Sequence, residues 1–114
     1  MASADVRHSP AHTVPCPCGM SERFFTAEDG AMLGLHRTTI SDAEPHFHRE
    51  MTETYYVLSG GGAIWLDGVC YPVAEGTSIL IRPGVVHRGE GEYQVIVVYT
   101  HPELHETDTH HPES

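Results

Sequence analysis

An all-β sandwich or barrel is the fold class predicted by this 114-residue sequence, and three features point to it. Glycine and proline punctuate the chain at intervals of roughly eight to twelve residues. The segments between them are rich in β-branched and aromatic residues. No segment carries a sustained apolar stripe of helical period.

Each strand has its own signal. MLGLHRTTI, from Met32, alternates apolar and polar residues. TETYYVLS, from Thr52, is the next, and Gly60-Gly61-Gly62 is expected to end it. AIWLDGVCYPV holds Asp67-Gly68 between two apolar runs, the signal of a two-residue hairpin. Pro72 assigns the second strand of that hairpin to a sheet edge or a bulge, because proline donates no ladder hydrogen bond. TSILI follows and is stopped by Arg82-Pro83-Gly84. YQVIVVYT, nearly continuous in apolar character, reads as a strand buried on both faces.

The length suits one domain. Large apolar groups concentrate between Met32 and Thr100. Residues 1–20 are expected to form an N-terminal arm, 21–101 the β-barrel domain, and 102–114 an acidic, histidine-rich tail. The first fifteen and last thirteen residues are expected to be loosely held, with the tail histidines solvated or binding metal adventitiously.

Charge excludes several functions. The formal net charge is −10, and all six basic residues are arginine. Phosphate backbones need clustered cations, so neither nucleic acid nor an anionic membrane is an expected partner. Without lysine there is no Schiff-base chemistry. No apolar leader or membrane-length run is found. Cys16 and Cys18 form CxC rather than CxxC, and with Cys70 they are read as free thiols of a cytoplasmic protein.

The chemistry concentrates in PHFHREMTETYYVLSG and GTSILIRPGVVHRG. Positions i and i+2 of a strand face the same way, so His46 and His48 can share one interior. With Glu53 and His87 they make three imidazoles and a carboxylate, donors suited to a divalent transition metal. Such a set leaves coordination positions open, unlike the thiolate-rich closed structural zinc sites. The flanking Tyr55, Val57, Trp65, Ile79 and Ile81 line the cavity or fill ordinary core. Tyr55, Arg37 and Arg82 are the candidates to orient a substrate, and the alternative for both arginines is a surface salt bridge. His36 lacks a paired partner and reads as a hydrogen-bonded or exposed residue.

These residues resemble the cupin superfamily. Its first motif is matched by His46, His48, Glu53 and Gly60, and its second by Gly76, Pro83, Gly84 and His87, with the proline one place late. Ile40 and Gly91 stand where the strict pattern has Gly and Asn. The resemblance covers roughly Gly19 to Thr100 and is greatest to small stand-alone cupins loosely called mannose-6-phosphate-isomerase-like. It implies a cupin-type double-stranded β-helix, or jelly-roll barrel, with Mn, Fe, Ni or Zn in its mouth, and a homodimer. Two functions follow as expectations. One is a small-molecule metalloenzyme of dioxygenase, isomerase or decarboxylase type, and the other is a non-catalytic module binding a small ligand or metal.

Overall fold

A computed structural model describes residues 4–113. Seven antiparallel strands account for the architecture: β1 (His12–Cys16), β2 (Gly19–Phe25), β3 (Leu33–Ser41), β4 (Glu53–Leu66), β5 (Val69–Ala74), β6 (Ser78–Ile81) and β7 (His87–Thr100). They hydrogen-bond in the order β1-β2-β3-β7-β4-β5, and β6 also pairs with β4. The only helical pieces among the described residues are 3₁₀ turns at Ala27–Asp29 and Pro102–Leu104. No described helix is long and apolar enough to cross a membrane.

β4 and β7 run alongside each other from Glu53–Tyr99 to Leu66–His87. On its other edge β4 changes partner, pairing Glu53–Tyr56 with β6 and Gly61–Leu66 with β5. The change occurs at the glycine triplet. Instead of ending there as the sequence predicts, the strand bends and continues, with a register shift between Val57 and Ser59. Glycine is what allows the bend. Gly60 has φ 81°, and a Cβ there would lie 2.5 Å from the Glu92 carbonyl oxygen. Asp67 and Gly68 both have positive φ, 49° and 82°, and close the expected hairpin as a type I′ turn. Pro72 lies in β5, the terminal strand of the sheet path.

Alternation selects the core. Ile40, Val57, Ile64, Ile81, Val95 and Tyr99 are buried, and their strand neighbours are more exposed. Val57, Ile79 and Ile81 are therefore core residues. Trp65 lies away from the interior cavity, its ring under the Arg88 guanidinium at 5.1 Å.

The ends differ from expectation. β1, β2 and the turn between them occupy residues 12–25, and β2 pairs with β3 from Gly19–Ile40 to Phe25–Leu35. Backbone pairing holds this segment, although it has few large apolar side chains. The β1–β2 turn brings the Cα atoms of Cys16 and Cys18 to 5.3 Å, and the two are joined as a disulfide. Only Cys70 is free, so free thiols at positions 16 and 18 no longer argue for a cytoplasmic location. Of the tail, residues 102–113 pack on the barrel, and residue 114, like residues 1–3 of the arm, lies outside the described residues. Asp108 is buried, and Phe47 and His110 exchange backbone hydrogen bonds.

The bend predicts that Gly60→Ala destabilises the protein by about 2 kcal/mol or more, through positive φ and backbone collision together. Urea unfolding of the variant against the parent measures this.

Candidate metal centre

Three imidazoles converge at one end of the barrel. His46 and His48 lie in the β3–β4 connection, and backbone hydrogen bonds fasten that connection to the β6–β7 turn. The His46 N–H donates to the His87 carbonyl at 3.1 Å, and the reverse bond is 2.8 Å. The Gly84 N–H donates to the His48 carbonyl at 2.6 Å. The ring centroids then stand 4.2 Å (His46–His87), 5.3 Å (His48–His87) and 5.5 Å (His46–His48) apart. One nitrogen from each ring lies within 4.8 Å of the other two.

Each ring is aimed through its other nitrogen. The Nδ1 atoms of His46, His48 and His87 lie 2.9 Å from the carbonyl oxygens of Glu44, Asp108 and Val85 respectively. A carbonyl only accepts, so each Nδ1 carries the proton and each Nε2 lone pair is left free. Metal-binding imidazoles are oriented by this kind of outer hydrogen bond.

Glu53, the first residue of β4, brings a buried carboxylate beside two of these rings. Its Oε1 lies 2.8 Å from His48 Nε2 and 3.4 Å from His87 Nε2. Neither contact has the alignment of a hydrogen bond, and both Glu53 Oε1 and His87 Nε2 are buried without a partner. Orphaned buried polar atoms are costly, and a cation between them would satisfy both. The donor set therefore fits a divalent metal ion.

The electrostatics agree. Burial pushes the His46 imidazole down to about 4, helped by nearby His87, so it stays neutral. For His48, burial is outweighed by the Glu53 carboxylate, and its pKa is raised. Burial also disfavours ionised Glu53, but contacts to His48 and His87 prevail and hold it well below the usual carboxylate range. It therefore presents an anionic oxygen.

Residues 40–101 match the cupin-domain family. The chain belongs to the cupin family.

Solved structures share this architecture. A protein from Planctomyces limnophilus superposes with TM-score 0.87 at 33% identity, covering 96% of both chains. An ectoine synthase from P. lautus superposes at 0.75 with 21% identity, covering 97% of this chain and 94% of its own. A variant of the oxalate decarboxylase from Bacillus subtilis reaches 0.71 at 14% identity over 90% of this chain and 30% of its own. At such identities the last two show the fold alone. No curated protein sequence matches the chain significantly.

In this cupin the site opens into a cavity of about 280 Å³, lined by His46, His48, Glu53 and Tyr55 together with β2, β3 and tail residues. Of the three substrate-orienting candidates, only Tyr55 reaches it. Arg37 faces outward and pairs with Glu22 at 2.7 Å, taking the salt-bridge alternative. Arg82 is exposed on the β6–β7 turn, away from the cavity. His36, expected to be hydrogen-bonded or exposed, is hydrogen-bonded and also buried in the cavity wall. Its Nδ1 lies 3.0 Å from Ser21 Oγ and its Nε2 lies 2.8 Å from the Tyr99 hydroxyl. Burial lowers its pKa to about 3, so one hydroxyl donates to the neutral ring and the other accepts.

Sequence reasoning missed the role of the tail. The Asp108 carboxylate accepts from the backbone N–H groups of Arg49, Glu50 and Met51 at 2.9, 2.9 and 3.0 Å. Its carbonyl accepts from His48, so the tail clamps the ligand loop from both sides. His105 stacks on Tyr99 with centroids 4.8 Å apart, and burial lowers its pKa. The available signal was an aspartate among tail histidines, too generic to place without the fold.

Burial disfavours ionised Asp108, but the three amide donors outweigh it and hold the pKa at about 2. The folded value lies below the ordinary one of about 3.9, so the stabilisation is complete above about pH 4 and is lost as pH falls towards about 2. Asp108→Ala should cost about 2 kcal/mol at neutral pH and narrow its gap to the parent through that window. Denaturation midpoints of both proteins, followed from neutral pH down through that window, provide the check.

Proposed function

We propose that this cupin is a small-molecule metalloenzyme in which His46, His48, His87 and Glu53 hold one divalent Mn, Fe, Ni or Zn ion. The observation that carries the reading is the shared orientation of the three rings. Each Nδ1–H is tied to a main-chain carbonyl, and the freed Nε2 atoms of His48 and His87 face a buried, unpartnered carboxylate oxygen of Glu53. Three neutral imidazoles and one carboxylate would leave a divalent ion with net charge +1 and coordination positions free for a substrate. When bound, such an ion supplies Lewis-acid polarisation of a substrate oxygen or, as iron, oxygen activation.

The remaining work falls to the chain itself. Glu53 is a ligand, and its depressed pKa keeps it anionic for that role. Tyr55, in the cavity wall next to the ligands, orients the substrate. Val97 and the Cys16–Cys18 disulfide supply apolar parts of the wall. The reaction is of dioxygenase, isomerase or decarboxylase type, and the varied activities of structurally similar cupins leave the choice to the site.

Elemental analysis of untagged protein should find one transition metal per chain, and His48→Ala or His87→Ala should reduce it below about a tenth, because outer- and inner-sphere losses weaken such sites by orders of magnitude. One metal per chain retained in either variant overturns the ligand assignment. Oxygen uptake and turnover measured on α-keto acids, 1,3-diketones and sugar phosphates test the enzyme reading. Metal-loaded protein inert towards all three classes would mark a non-catalytic binding cupin.

We also infer a homodimer. Tyr56, Leu58 and Leu80 present a half-exposed apolar face on β4 and β6, which a second copy would cover. Light scattering should give about twice the chain mass; a monomer at micromolar concentration contradicts it.

A further inference from the structure

The cavity beside the metal centre has a cation that the ligand set does not use. Strand alternation turns Ser21 and Arg23 of β2 towards the interior, opposite Thr38 and His36 of β3. One row of the sheet runs Arg23–His36–Val97–Tyr55 through β2, β3, β7 and β4. Arg23 therefore stands in the same wall as Tyr55, and Glu53 lies two residues before Tyr55 on β4. It is the only arginine lining the cavity among the described residues.

We propose that Arg23 is a carboxylate-binding subsite, so that the substrate of this cupin is a small organic acid anchored at Arg23 beside the metal. The assignment rests on the metal reading given above and adds the substrate class to it.

The pairing of Arg23 supports this. Its side chain is mostly buried, and its Nε has no hydrogen-bond partner. The one ionic contact is from Nη1 to Glu106 Oε1 at 3.3 Å, and the Glu106 side chain is 79% exposed. A single, solvent-exposed contact of this kind holds weakly. The Nε–Nη2 edge, the fork that grips a carboxylate with two parallel bonds, makes no hydrogen bond among the described residues. Glu106 thus shows that a carboxylate reaches this guanidinium through Nη1, while Nε is a buried donor left without a partner.

His36 and His105 share the cavity wall with Arg23. Burial keeps His36 and His105 neutral at physiological pH. The other arginine–carboxylate pairs, Arg7–Asp29, Arg37–Glu22 and Arg88–Glu90, involve residues that do not line this cavity. In a chain of net charge −10, Arg23 is the arginine an entering anion meets here, with Glu106 on its Nη1 and Glu53 given to the metal site. About 280 Å³ admits an acid of a few carbons rather than a polymer or a lipid.

Calorimetric titration of metal-loaded protein with malonate, succinate and glutarate, and with their diamides as neutral controls, tests the subsite. At least one acid should bind, with its diamide about tenfold weaker or worse, since a charged hydrogen-bonded partner is lost. Arg23→Gln should weaken the acid by about tenfold or more and leave metal content unchanged, while Arg23→Lys should recover part of the loss. Glu106→Gln should tighten binding a fewfold by removing the competing carboxylate. Equal affinity for acid and diamide, undiminished affinity in Arg23→Gln, or no binding of any acid to metal-loaded parent overturns the subsite. Metal content is read on the same samples, so a parent protein without metal sinks the metal reading, and a metal-loaded parent indifferent to Arg23 sinks only this one.

Discussion

A buried carboxylate that has no aligned donor dominates the site. Glu53 lies at the start of the long β4 strand, deep in the barrel end, and its Oε1 faces imidazole nitrogens whose protons are on the far side of the rings. Burying an anion in this way is costly unless a cation compensates it. The protein commits three hydrogen bonds to main-chain carbonyls to turning three lone pairs towards that anion. A protonated imidazole could compensate Glu53 in the absence of a metal, and the raised pKa of His48 reflects that pull. The arrangement as a whole is acceptor-rich, which is the pattern a metal ion completes.

The rest of the structure serves to hold those acceptors still. The loop carrying His46 and His48 has no strand of its own, so it is bridged to His87 on one side and to His110, through Phe47, on the other. Asp108 gathers three successive amides at the loop's end and gives its carbonyl to His48. The tail is therefore part of the site's outer support. The N-terminal strands do the corresponding work for the cavity, since β2 supplies Ser21 and Arg23 and the β1–β2 turn supplies the disulfide.

How much of this the sequence reveals depends on whether a signal is local. The I′ hairpin at Asp67-Gly68, the edge position of Pro72 and the HxH…E…H spacing each follow from residues near one another, and the structure groups the three histidines, with Glu53 against His48 and His87. The triplet Gly60–Gly62 was legible as an interruption but not as a bend, because only the approach of Glu92 and Glu90 from β7 makes glycine necessary there. His36 and Arg37 are neighbours in a strand, so only one could face inward; choosing between them required knowing that Tyr99 and Ser21 lie opposite. Arg23 and Asp108 were out of reach because each acts through partners distant in sequence, and strands held mainly by backbone pairing leave little apolar pattern to read.

Anomalous scattering from crystals of untagged, metal-loaded protein tests the central claim most directly. The account predicts one strong peak, about 2.0–2.3 Å from the Nε2 atoms of His46, His48 and His87 and from a Glu53 oxygen, with each Nδ1 still bound to its carbonyl. A peak coordinated through an Nδ1 atom, or confined to the tail histidines with the barrel site empty, would contradict it.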